Sequence, residues 1–275
     1  ADLGSLGGDT APAKNFDPLG LSKLGSDETL AWFRAAELKH SRVAMLATTG
    51  YMVQAALHDI MAKNVMSACA GYKIGCTTEV MQDYLGIDHP CAGGILETNI
   101  HQGDTTLAHA DYCKVGAECE IVVKLSSDIP AGTNHTSDSV ADHVGAVMVG
   151  IEIVDNRYTD FATVGAATLI GDDFFGAGCV LGEPVTDWRS LDLAELEGGL
   201  TINGEAKERA TGAAIMGDPL EALAWLASHK TMTGGTLKAG EIVMLGSIVQ
   251  CQWMDAPGEA AAEISGLGAV TLTLN

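Results

Sequence analysis

Eleven residues, Val115 to Leu125 (VGAECEIVVKL), constrain the fold more than any other stretch. Apolar and polar types alternate and Val and Ile dominate, which predicts a β-strand. A strand turns successive side chains to opposite faces, so Glu118 and Glu120, two residues apart, share one face. Two carboxylates side by side repel unless water bathes them or a cation sits between them. The pattern leaves both options open: a solvent-facing acidic edge, or a cation site. Gly150 to Tyr158 (GIEIVDNRY) reads as another strand and adds Glu152.

The rest of the chain bounds the context. With 275 residues it can bury a sizeable core in one or two domains. Its net charge of -21 excludes nucleic acid or an anionic membrane surface as the main partner. Thirty-three glycines and 5% aromatics favour a turn-rich α+β or β fold over a helix bundle. Seven scattered cysteines without a CxxC pair read as reduced, mostly buried thiols. Asn134-His135-Thr136 matches a glycosylation sequon, a short motif of low specificity.

Residues 1–27 start ADLGSLGGD, are rich in Gly, Ala, Asp and Ser, and read as an extended N-terminus left after removal of a targeting peptide. Asp27 is placed to cap a helix over residues 28–58. On that helix Glu37 and His40 share a face, and both side chains can ligate a metal. Arg42 lies about 140° round from Glu37 and so points to a different partner. Val43 to Leu57 carries no charge over 15 residues, short of the roughly 18 that mark a membrane span by hydropathy. An ordinary amphipathic helix with a solvated charged end fits these residue types as well.

FDPLGL (Phe16 to Leu21), ETLAWFRAAELKHSRVAML (Glu28 to Leu46) and the following TTGYMVQ resemble the first transmembrane helix of algal chlorophyll a/c antenna proteins. The resemblance implies that Glu37 and His40 bind chlorophyll, with carotenoid nearby, and that Arg42 pairs with a partner's acid. It implies photosystem or antenna subunits as partners, a membrane setting, and a chloroplast thylakoid location. The second and third antenna helices have no counterpart downstream, so an embedded Glu37 and Arg42 need another copy or another protein.

From Tyr51 onward the chain resembles 2-keto-4-pentenoate hydratases of the fumarylacetoacetate hydrolase superfamily. The motifs are YMVQAAL, GYKIGCTT, MQDYLGIDHPCAGG, E-x-E at Glu118 and Glu120, IVDNR, GDPLEALAWLASH and LKAGEIVMLGS. The resemblance implies an α+β fold, a mixed β-sandwich or roll with peripheral helices over residues 59–275. It implies a metal triad of Glu118, Glu120 and Glu152, a proton-transfer lysine at Lys73 and a catalytic acid at Asp172. Three carboxylates with open positions suit Mg or Mn.

Four departures tilt the reading toward a scaffold. Cys91 stands where the hydratases place an acid, Ala162 where they place a lysine, and Leu245 where a threonine hydroxyl would meet a substrate carboxylate. Phe174-Phe175 replace small residues and read as core. The first expectation is therefore a pigment-bearing subunit of a photosynthetic membrane complex whose hydratase-like domain is degenerate. The alternatives are a thylakoid-tethered, Mg-dependent hydratase or decarboxylase of a small 2-keto acid, and a soluble plastid hydratase with a remnant antenna segment. A small-molecule substrate belongs only to the enzyme readings.

Local patterns add three expectations. Glu79 to Leu85 is a helix. A helix capped at Ser137 or Asp138 continues through Met148, with Val140, Val144 and Val147 on one face. Asn203-Gly204 turns a hairpin.

Overall fold

A computed structural model describes residues 68–275. The chain divides into two units, Ala1–Met66 and Ser67–Asn275. Glu37, His40, Arg42, Asp27 and the helix expected over 28–58 lie outside the described residues. Among the described residues, no helix is long and apolar enough to cross a membrane.

The second unit opens with β1 (Cys69–Gly75), α1 (Glu79–Leu85), β2 (Cys91–Leu96), β3 (Ile100–Gln102) and β4 (Thr105–Leu107). It continues with β5 (Val115–Leu125), α2 (Ser137–Ala141), β6 (Val144–Asp155), α3 (Ala166–Gly171) and β7 (Gly176–Leu181). The hairpin of β8 (Glu197–Ile202) and β9 (Glu205–Thr211) precedes α4 (Pro219–Met232). The chain closes with β10 (Ile242–Ser247), β11 (Gln252–Trp253), β12 (Gly258–Ile264) and β13 (Gly268–Leu274).

These strands form two sheets. The larger runs β2-β1-β10-β5-β6-β7-β3, with β11 also paired to β5. The smaller runs β4-β13-β12-β8-β9. Parallel pairs such as β1 with β10 and antiparallel pairs such as β5 with β6 make the large sheet mixed. The arrangement is the α+β fold with peripheral helices read from the sequence.

The two faces of the large sheet do different work. On β5, Val115, Ala117, Cys119, Ile121 and Val123 join the main core, together with Val147, Val149, Ile151 and Ile153 of β6. Leu200, Ala260, Ala262, Val270 and Leu272 of the smaller sheet belong to that core, so these side chains fill the space between the sheets. The even positions turn the other way. Val122, Met148, Cys179, Leu181 and Met244 form a separate cluster on the far face. Glu118 and Glu120 share that face with Val122 by the period of two.

Helix α1 matches its expected range and is closed by Gly86 at φ 65, a left-handed cap that glycine adopts freely. Asn203 and Gly204 both take positive φ, 51 and 78, as a type I′ hairpin turn requires. The helix expected from Ser137 to Met148 is a correction. Helix α2 ends at Ala141, its cap is Thr136, and Val144–Asp155 is strand. Val144, Val147 and Val149 are β-branched and stiff, which favours the pleated sheet. Eleven-residue pairing with β5 outweighs a helical face that three valines suggest in either geometry.

Candidate metal centre

Strand register assembles the carboxylates. Glu118 stands opposite Glu152, and Glu120 opposite Gly150. Three ligand oxygens, one from each of Glu118, Glu120 and Glu152, all lie within 4.8 Å of one another. Glu120 and Glu152 are 1% and 5% exposed, while Glu118 is partly buried. At a break in the β10–β5 register, the backbone N–H of Gly246 donates to Glu120 Oε2 at 2.9 Å.

Such a cluster is short of positive charge. Burial, then the charge of Glu152, pushes the Glu118 carboxyl up to about 7, against the pull of Lys73. Burial, then Glu152 and Glu118, raises Glu120 well above the usual carboxylate range. Carboxylates that repel in a dry site hold protons more tightly, or they hold a cation. Oxygen ligands at this number and spacing fit a hard divalent ion such as Mg²⁺ or Mn²⁺.

Lys73 reaches the same face from β1. Its Nζ donates to Glu152 Oε1 at 2.7 Å and to the Phe174 carbonyl at 2.9 Å. Both members of the ion pair are 6% exposed. Burial pulls the ammonium toward neutrality, but Glu152 and Asp173 more than compensate, and its pKa is raised.

Asp172, the expected catalytic acid, is placed differently. It caps α3 and accepts from Arg157 Nη1 at 3.0 Å, while Arg157 Nη2 donates to the Gly176 carbonyl at 2.6 Å. Asp155 Oδ1 accepts from the N–H groups of Cys113 at 2.9 Å and Lys114 at 2.7 Å. The IVDNR segment therefore clamps the end of β6 to its neighbours, and Asp172 belongs to that clamp.

The acid that faces Lys73 is Asp173, one residue on. Lys73, Glu152 and Asp173 line a cavity of about 420 Å³, a volume that includes solvent at its mouth. Gly94, Leu96, Asn99 and Gly178 complete much of its wall. Burial pushes the Asp173 carboxyl up to about 6, against the pull of Lys73. No periodicity marks Asp173, because the doublet Asp172-Asp173 follows a six-residue helix and precedes a turn. Only the fold decides which of the two turns inward.

That turn has an unusual backbone. Asp173, Phe174 and Phe175 take φ of 61, 44 and 64 in succession. Left-handed conformation costs a non-glycine residue about 1–2 kcal/mol. The Phe174 carbonyl is thereby aimed at Lys73. Phe175 meets the rings of Tyr158, Phe161 and Trp253 edge-on, at 6.1, 5.5 and 6.4 Å. The phenylalanine pair is partly buried rather than full core, and it anchors the strained turn.

None of the four departures lines the cavity with its side chain. Leu245 is fully buried in the core between the sheets, on the face opposite the carboxylates. Ala162 is exposed on a short 3-10 turn, Phe161–Thr163. Cys91 is buried, and its thiol is held to about 7 by a hydrogen bond from Cys76, against the effect of burial. Phe174 presents its carbonyl.

Comparison with known proteins adds context to this geometry. Residues 94–275 match the family described as fumarylacetoacetate (FAA) hydrolase C-terminal, and residues 1–98 match the family described as chlorophyll A-B binding protein. The chain is 31% identical to a 2-keto-4-pentenoate hydratase of Burkholderia vietnamiensis, over 82% of this chain and 86% of the relative. It is 30% identical to a 2-hydroxyhexa-2,4-dienoate hydratase of Comamonas testosteroni, over 74% and 76%. The fold is similar to 4-oxalocrotonate decarboxylase from Pseudomonas putida G7 complexed with magnesium and adipate, at a TM-score of 0.73 and 22% identity, over 78% of this chain and 80% of that one.

Proposed function

We propose, from the premise that this chain belongs to the fumarylacetoacetate hydrolase family, that residues 68–275 form a divalent-metal-dependent domain for hydration or decarboxylation of a small 2-oxo acid. The observation that carries this reading is the convergence of Glu118, Glu120 and Glu152 beside the buried Lys73. A divalent ion held by the three carboxylates would neutralise them and polarise the oxygens of a 2-oxo acid. The protein's own groups do the rest. Gly246 fixes Glu120 through its N–H, and Lys73 fixes Glu152 through its ammonium. Lys73, itself buried, also offers positive charge to a developing enolate oxygen. The small cavity favours a ligand of few carbons.

Leu245 lies on the opposite face of the sheet and Ala162 is exposed on a 3-10 turn, which weakens two of the four arguments for a degenerate scaffold. The test is turnover of 2-keto-4-pentenoate and 4-oxalocrotonate by the full chain with Mg²⁺ or Mn²⁺, followed by ultraviolet absorbance. Metal-dependent loss of either substrate is expected. Absence of turnover, together with no metal-induced rise in melting temperature, would overturn the reading.

The match over residues 1–98 favours a second, compatible role: chlorophyll binding through Glu37 and His40, with Arg42 paired to a partner, in a thylakoid setting. The protein purified from thylakoids in mild detergent should then carry a chlorophyll red band. A Glu37→Ala, His40→Ala double variant should lose it. Pigment-free protein that salt washes from the membrane refutes this role.

A further inference from the structure

Asp173 has no task in the metal-binding arrangement. Its side chain lines the cavity with Lys73 and Glu152, and its Oδ1 is buried against Gly93 without a hydrogen-bond partner. Buried carboxylate oxygens are nearly always satisfied, and an exception asks for a reason. Local structure supplies none, since the turn that holds Asp173 is strained at three successive residues. The surroundings are shaped to admit the side chain. A Cβ on Gly93 would collide with the Asp173 carboxylate, and one on Gly176 would crowd it from the other side. A carboxylate kept at a cavity wall in a costly conformation, with one oxygen unsatisfied, is placed to exchange a proton with a ligand that enters.

We propose that Asp173 is the proton-transfer residue of this cavity, exchanging a proton with C3 of a bound 2-oxo acid. The assignment rests on the 2-oxo acid reading above. In the ketonising direction the Asp173 O–H bond breaks and its proton goes to C3 of the enolate. The C2–C3 π pair becomes the new C3–H bond, and the C2=O bond re-forms from the enolate oxygen. The negative charge passes from the enolate to Asp173. In the reverse direction the carboxylate takes the C3 proton. The charged groups facing Asp173 are Lys73 from β1, Glu152 from β6 and Arg157 just beyond β6. Strand β2 contributes Gly93, against which the carboxylate lies, and the backbone N–H of Gly94, which favours the charged form. Lys73 therefore opposes the negative charge in either direction of transfer. Burial raises the carboxyl above its ordinary range, against the pull of Lys73.

The experiment is solvent exchange. The full chain with Mg²⁺ is incubated with 2-oxobutanoate in D₂O, and loss of the C3 proton signal is followed by NMR. Calorimetry measures 2-oxobutanoate affinity in parallel. Wild-type protein is expected to exchange well above the protein-free rate. Asp173→Asn should slow exchange about 10²–10⁴-fold, the usual worth of a positioned acid–base group. Its affinity should change less than about threefold, because Asn has the same shape and tolerates positive φ. Asp173→Glu should regain part of the rate.

An Asp173→Asn variant that exchanges at the wild-type rate overturns the assignment, and so does one that loses affinity and exchange together. Binding without exchange in the wild type also overturns it, while leaving the site reading intact. Failure of the wild type to bind 2-oxobutanoate in a metal-dependent way overturns the site reading itself.

Discussion

Glu118→Gln tests the electrostatics of the carboxylate cluster directly. The folded protein raises Glu118 from its ordinary 4.5 to about 7. A carboxyl whose folded pKa is raised binds more protons in the native state than in the unfolded state between those values. Metal-free stability therefore falls as pH rises from about 4.5 to about 7 and stays low above it. At 1.36 kcal/mol per unit the loss reaches about 3 kcal/mol, an upper bound because Glu118 is partly exposed. For a domain of this size that is a melting shift of roughly 6–12 °C. Mg²⁺ at a hundred times its dissociation constant returns about 2.7 kcal/mol, enough to cancel most of the loss. In Glu118→Gln the neutral amide removes the effect and also eases the repulsion that raises Glu120. Glu120, still raised by burial and Glu152, and Asp173, at about 6, continue to titrate, so a reduced slope persists. The assay is calorimetric melting of wild type and variant in EDTA, from pH 5 to 8, repeated with Mg²⁺. The variant should be the more stable at pH 8 in EDTA and should gain nothing from Mg²⁺. A variant with the wild-type slope between pH 6 and 8 would falsify the account.

Lys73→Met leaves Glu152 buried without its 2.7 Å partner. It should cost about 3–5 kcal/mol in urea unfolding; a loss under about 1 kcal/mol refutes the pairing. Gly93→Ala places a methyl where the Asp173 carboxylate lies. Substrate turnover should fall at least tenfold while α4 and the core stay folded by circular dichroism, and unchanged turnover speaks against the placement of Asp173. Leu245→Thr puts a hydroxyl into the core between the sheets. It should lose about 1–3 kcal/mol of stability and gain no activity; increased turnover would place position 245 at the substrate after all.

The fold was legible where one pattern admitted one geometry. The alternation in β5, the Asn-Gly turn and the span of α1 needed no tertiary information, and the alternation also put Glu118 and Glu120 on one face. Val140 to Met148 misled because three valines at spacings of four and three satisfy a helical face, while pairing with β5 decides the matter from outside the segment. The departures at Ala162 and Leu245 could not be placed from the sequence for a related reason. A missing lysine or hydroxyl signals a lost site only if the position faces the cavity, and facing depends on the sheet. Asp173 was hidden because adjacent acids after a helix end differ only in the direction the turn gives them.

The position of β1 bears on how the two halves of this chain can be separated. The antenna-type match runs to residue 98 and the hydrolase-type match begins at 94. Yet β1 and β2, residues 69–96, are interior and edge strands of the larger sheet, with β1 paired in parallel to β10. The downstream family match thus begins inside a sheet whose first two strands precede it, while the hydratase relative, aligned over 82% of this chain, spans those strands as well. A fragment cut at residue 94 would expose the edge of β10 and forfeit Lys73, so the smallest fragment that keeps the sheet whole begins ahead of Cys69.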